Sequence, residues 1–311
     1  MMTKIRYKLR FPTSVYAAEE IGNTLYVGGS IWDRRKILYT KEIAKKAKGV
    51  LFILKNQQPD KVIFFSHMVY SIVNLPNKLL FVGCKDAKGA FNLVNRKGEI
   101  IKQKDDKIGK GVYNAIYSKK EIICTTRSGK LVSIDTKLNI QKKLQLTKAR
   151  LWSLDSDNKN IYAGNYDGTL YIVDRAKFKL IGKINLKALY PGDKRLKKGF
   201  GPSLWGLKSI ANNIITGNRW GDIAIFNKKL QLKKRISVKE DISCIEQLSK
   251  QILLIGTRYG KLYALNLKTS KLSKITQIRP VLQEENAVWG MAQAKNGVLV
   301  CFADGFVCKI R

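Results

Sequence analysis

Apolar residues along this chain fall in short runs that alternate or run unbroken over a strand's length, and the runs repeat in a fixed order. An apolar strand is followed by Gly and a few polar residues, then by a second apolar strand. The clearest forms are Ile161–Asp174 (IYAGNYDGTLYIVD) and Leu253–Asn266 (LLIGTRYGKLYALN). Ile214–Asn227 and Ile122–Asp135 follow the same template, and Leu79–Val94 carries a longer turn. Val298–Ile310 is a worn copy, and residues 25–54 hold a copy split by an insertion. About seven copies at a spacing of roughly 40 residues fall in the range of a four-stranded blade. Period-two alternation and the Val, Ile, Leu and Tyr content predict strands rather than helices, and the glycines permit the turn between the second and third strands.

Each copy is preceded by a further short strand, beginning at Val15, Val69, Val112, Leu151, Leu204, Ile242 and Val288. These are the predicted inner strands. Each copy is followed by a basic-apolar outer strand, such as Lys142–Leu146 or Leu230–Ile236. The last copy lacks an outer strand, whereas a spare strand, Ile5–Phe11 (IRYKLRF), precedes the first inner one. Pairing the spare onto the last copy removes a long unpaired edge. The expected fold is therefore all-β, a seven-bladed β-propeller closed by an N-terminal strand in the last blade, with residues 1–311 as one domain.

The segments NYDGTLYIVD and TRYGKLYALN resemble the pyrroloquinoline-quinone-type repeat and, more loosely, WD-repeat propellers. The resemblance spans nearly the whole chain and implies the fold. Departures are clear: the Gly-His and Trp-Asp signatures of WD repeats are missing from the expected places, as is the Trp that ends many quinone-type blades. No calcium-binding carboxylate set is discernible, so neither the quinone nor a dehydrogenase activity is carried over. No cofactor is expected, and many unrelated functions use this fold.

Charge changes the picture. Lys and Arg number 59 against 23 Asp and Glu, a net charge of +36. A heat-adapted surface would raise both signs together. An excess of one sign is relieved by a polyanion, unless it reflects only coding bias toward Lys. No secretory leader and no run long enough to span a bilayer is visible. Cys84, Cys124, Cys244, Cys301 and Cys308 lack metal-type spacing and read as reduced, inert thiols, which suits a cytoplasmic location. The single histidine, His67, has no cluster around it, and a zinc site needs more N or S ligands than that.

Candidate binding residues gather in loops, where binding function concentrates on a rigid scaffold. Two insertions are basic: residues 30–48, with Arg34, Arg35 and Lys36, and residues 187–202, with Lys194, Arg195, Lys197 and Lys198. Both are expected on one propeller face, and Thr40–Lys48 is expected to form a short helix. The equivalent short turns add Lys85, Arg127, Tyr166, Arg219 and Arg258. In two of them the next residue is aromatic, giving Arg219-Trp220 and Arg258-Tyr259, whereas Tyr166-Asp167 is ordinary turn chemistry. A cation beside an aromatic suits a nucleic acid, by phosphate contact and base stacking; alternatively, Trp220 and Tyr259 fold back over the blade edge. Tyr16, Tyr70, Tyr113, Trp152, Trp205 and Trp289 recur at one inner-strand position. They either line the channel mouth or pack between blades.

No nucleophile–base set, phosphate-cradling loop or repeated carboxylate pair is visible, so no enzyme activity is expected. The expected function is a non-catalytic binding platform for RNA or single-stranded DNA, monomeric or within a larger complex. The alternatives are a scaffold for acidic protein partners and, less favoured, an anionic-membrane binder.

Overall fold

The computed structural model describes residues 5–31, 47–84, 91–104, 111–197, 201–277 and 287–311. Among them, twenty-eight strands form seven four-stranded sheets, here called blades. Blades 1 to 6 span residues 14–65, 69–104, 112–145, 151–185, 204–237 and 242–277. Each inner strand begins within one residue of the position expected from sequence.

Burial explains the pattern. Second and third strands are covered on both faces: Asn160–Asn165 and Thr169–Asp174 are buried along nearly their whole length. Such strands read as unbroken apolar runs rather than clean alternations. The outer strands Ile140–Gln145 and Leu232–Ser237 are exposed almost throughout, and this is where the lysines sit. Cations on those edges oppose strand addition by other chains.

The hairpins are held by Asx turns. At the end of the third strand, the side chains of Asn95, Asp135 and Asn227 each accept the backbone N–H groups two and four residues on. These short polar side chains replace backbone partners that the turn would otherwise lack.

By packing, the chain divides into two compact units, Met1–Val112 with Glu246–Arg311, and Tyr113–Ile245. In the first unit, Ile5–Arg10 pairs antiparallel with Phe306–Ile310 and so takes the outer position of blade 7. Blade 7 packs directly on blade 1: Phe11, Val15, Ala18 and Val27 share one apolar cluster with Leu299, Cys301 and Val307. Gly290 permits the approach, because a Cβ there would lie 2.2 Å from the Tyr16 carbonyl oxygen. A nearly buried ion pair, Lys309 Nζ to Glu20 Oε2 at 2.5 Å, clasps the two blades. The N-terminal strand thus sits where the sequence places it.

A second device recurs. The cation after the third-strand Asn or Asp reaches back to the preceding blade. In the first unit, Arg96 lies 6.0 Å over the Tyr26 ring, and the Tyr26 hydroxyl donates to its carbonyl. In the second unit, buried Arg175 pairs with Glu121 at 3.5 Å. Lys228 donates to Asp157 at 2.7 Å and to the Tyr162 hydroxyl at 3.1 Å. Burial alone would raise the Asp157 carboxyl. Lys228, Tyr162 and the backbone N–H groups of Asn160 and Lys159 instead hold it well below the usual carboxylate range.

Candidate nucleic-acid interface

The candidate site is built on blades 4 and 5 of the second unit. In blade 5 the Asn218 side-chain oxygen accepts the backbone N–H groups of Trp220 (2.8 Å) and Asp222 (3.2 Å). Gly221, at φ +82°, completes the turn, and a Cβ there would lie 2.6 Å from the Glu240 nitrogen. This turn aims Arg219 and Trp220 in different directions.

Arg219 points toward blade 4. Its guanidinium meets Asp241 at 3.3 Å and the Tyr166 hydroxyl at 3.3 Å, and lies 5.7 Å over the Trp205 ring. Trp220 folds back. It is half-buried against an apolar cluster and meets Tyr190 edge-on at 4.8 Å. The Arg195 guanidinium lies 4.0 Å over the Trp220 ring. So the ring expected to be open for stacking carries a cation from the chain itself.

The insertion supplies that cover. Within the insertion at 187–202, read as a loop, the described residues up to Lys197 hold two short turns of helix, the 3-10 turn beginning one residue earlier at Leu186, and form a strap that reaches from blade 4 to blade 5 through Tyr190 and Arg195. Tyr190 anchors the strap. Its hydroxyl donates to Asp222 at 2.7 Å and accepts from Asn218 at 2.7 Å, and Arg235 lies 5.2 Å over its ring. Burial drives the Tyr190 hydroxyl above its ordinary value and the bond to Asp222 adds to that, so it stays a donor. Farther along, Arg195 makes a two-bond contact with Asp193, which holds that exposed carboxyl at about 2. At the strap's end, Ser203 donates to the Tyr166 carbonyl. Gly201 is packed against Asp167, whose carbonyl oxygen would be 2.8 Å from a Cβ there.

The candidates named from sequence are distributed as follows. Arg195 and Trp220 meet at the strap, Arg219 turns away from them toward Tyr166 and Asp241, and Lys194 is exposed. Lys197 ends the second helical turn. Arg127 is half-buried on the equivalent turn of blade 3, where Thr126 accepts the Lys130 N–H at 3.0 Å. In the first unit, Arg258 is half-buried and Tyr259 is 42% exposed, so Tyr259 does not fold back as Trp220 does. Arg34, Arg35, Lys36, Lys85 and Lys198 lie outside the described residues, as does most of the Thr40–Lys48 stretch expected to be helical. The ends of the first insertion are joined by Ile31 N–H to Lys48 C=O at 3.1 Å, at the turn position of blade 1.

The inner-strand aromatics touch their neighbours. Tyr16 stacks on Tyr70 at 4.5 Å and meets Trp289 at 6.4 Å in the first unit. Tyr113, Trp152 and Trp205 follow one another at 4.3 and 5.6 Å in the second. Their rings join neighbouring blades. Tyr166, which the sequence presents as ordinary turn chemistry, has 40% of its surface exposed, and Arg150, which no sequence pattern marks, accepts the Tyr166 N–H through its carbonyl at 3.0 Å. Among the described residues no cluster of His, Cys, Asp and Glu is placed to hold a metal, and no helix is long and apolar enough to cross a membrane.

No protein-family model matches the chain, and no curated protein matches it in sequence. Among solved structures it is similar to the WD40 β-propeller domain of Doa1, with a TM-score of 0.77 and 12% identity over 99% of this chain and 97% of that one. At that identity the likeness concerns the fold alone: the seven blades are those of a WD40-like β-propeller.

Proposed function

We propose that this propeller is a non-catalytic binding platform for RNA or single-stranded DNA. One observation carries the reading. On blades 4 and 5, two partly exposed guanidinium groups are held against aromatic rings, each also paired with a carboxylate: Arg219 by Trp205, Tyr166 and Asp241, and Arg195 by Trp220 and Asp193. A guanidinium fixed in this way loses little freedom on meeting a phosphate, which its remaining N–H groups can contact. The net charge of +36 supplies the long-range attraction.

The cover on Trp220 favours a second reading, a scaffold for acidic protein partners, because that ring presents a cation rather than an open face. Polarisation titrations of a fluorescent oligouridine and an oligothymidine at two salt concentrations decide between them. Binding is expected to weaken steeply with salt, with about 0.7 added to the log–log slope per phosphate contact. Absence of binding at low salt would overturn the nucleic-acid reading and leave the acidic-protein one.

A further inference from the structure

We infer that Tyr166 is the base-stacking residue of this site and that Trp220 is a positioning residue for Arg195; the inference rests on the single-strand reading above. Most exposed large apolar side chains lie on outer strands: Val62, Ile100, Ile101, Ile181 and Leu232. Among the described residues, Tyr166 and Tyr259 are the exposed ones on turns. Tyr166 is also the one whose every handle is fixed. Its N–H donates to the Arg150 carbonyl, its carbonyl accepts from Ser203, and its hydroxyl accepts from Arg219. The preceding Asn165 accepts the N–H groups of Asp167 and Thr169, which locks the turn from inside.

A tyrosine so held offers a ring that has already lost its rotational freedom, so a base stacking on it costs little further ordering. Cations flank it. Arg219 is bound to its hydroxyl, Arg150 is exposed at its backbone, and the exposed Lys187 runs beside the Gly201–Asp167 contact. That is the arrangement a single strand requires, with one base on the ring and backbone phosphates to either side. A duplex cannot offer the ring an unpaired face. At Trp220 the geometry is the reverse. The ring is half-buried and its face is occupied by Arg195, so it presents a cation and no stacking surface.

Three probes test this on the full chain: oligouridine, an abasic strand with the same phosphates, and a duplex of equal length. Tyr166→Ala is expected to weaken oligouridine binding about tenfold with the salt slope unchanged. Tyr166→Phe keeps the ring and is expected to stay within about twofold of the wild type, which separates stacking from the hydroxyl contact. The abasic strand is expected to bind wild type and Tyr166→Ala alike, and more weakly than oligouridine binds wild type. Melting of each variant is compared with wild type. If Tyr166→Phe matches wild type while a normally melting Tyr166→Ala binds oligouridine as tightly, the stacking assignment is wrong. An equal loss on the abasic strand overturns it too. If wild type binds none of the probes at low salt, the nucleic-acid reading itself has failed, and this inference with it.

Discussion

The clasp between the last and first blades can be tested by removing one charge, then both. Lys309 and Glu20 meet at 2.5 Å with 8% and 14% of their side chains exposed, and Glu20 also accepts the Lys295 N–H at 3.1 Å. At that burial, removing one partner leaves an uncompensated charge, which typically costs about 3–5 kcal/mol. Glu20→Leu is expected at the upper end, since it strands both the ammonium and the Lys295 N–H. Lys309→Met is expected lower, because Glu20 keeps its backbone donor. Replacing both with apolar residues of similar volume, Glu20→Leu with Lys309→Met, removes the desolvation cost along with the attraction. It is expected to cost less than either single change. Urea unfolding of the full chain, followed by circular dichroism, gives the four free energies. Single changes that cost under about 1 kcal/mol, or a double that costs the sum of the singles, would refute the view of this pair as a desolvated clasp.

Burial pushes the Glu19 carboxyl up to about 7, with Arg96 partly opposing it. A carboxyl whose folded pKa is raised favours the fold below its unfolded pKa, and that contribution is lost as pH rises through about 7. Glu19→Gln is therefore expected to melt like wild type near pH 4 and higher than wild type near pH 8; equal melting at both would count against a desolvated Glu19. Tyr190→Phe leaves buried Asp222 and Asn218 without their shared hydroxyl and is expected to cost about 1–3 kcal/mol in a denaturant titration. No change in stability would show that the strap is not anchored there. Arg219→Ala is expected to weaken oligouridine binding and lower its salt slope by about 0.7, whereas Lys233→Ala on an outer strand leaves both nearly unchanged. Equal effects of the two would indicate diffuse attraction without a defined site.

Much of the fold is legible in the sequence because each blade hides two strands on both faces. Those strands must be continuously apolar, and Gly must stand at the tight turn between them. The outer position of Ile5–Arg10 follows from counting strands, since one copy is short and one strand is spare. The tyrosine beside Asn165 is hard to read for a local reason. Tyr166-Asp167 looks like turn filler, yet Asn165 and Gly168 make the turn, and the ring between them is left partly facing solvent. Alignment with Arg219 and Arg258 gives its repeat position but carries no mark of the exposure of its ring. The stacking of Arg195 on Trp220 and the reach of Lys228 to Asp157 depend on residues 25 or more positions apart, for which local pattern has no mark. The backward reach does have a faint one, a cation directly after the Asn or Asp that closes the third strand, as in Asn95-Arg96, Asp174-Arg175 and Asn227-Lys228.

The strand that completes blade 7 has a consequence for how the chain is made. Ile5–Arg10 leaves the ribosome well before its partner Phe306–Ile310. At ~5–20 residues per second, the roughly 300 residues between them take ~15–60 s to emerge. Throughout that interval the nascent chain carries a strand with no partner, the kind of edge that recruits other chains. Lys8 and Arg10 make it a poor template for its own copies on neighbouring ribosomes, because like charges would meet in any such pairing. Blade 7 can be finished only once Phe306–Ile310 has emerged, and a nascent chain stalled before that point has both an open last blade and a waiting first strand.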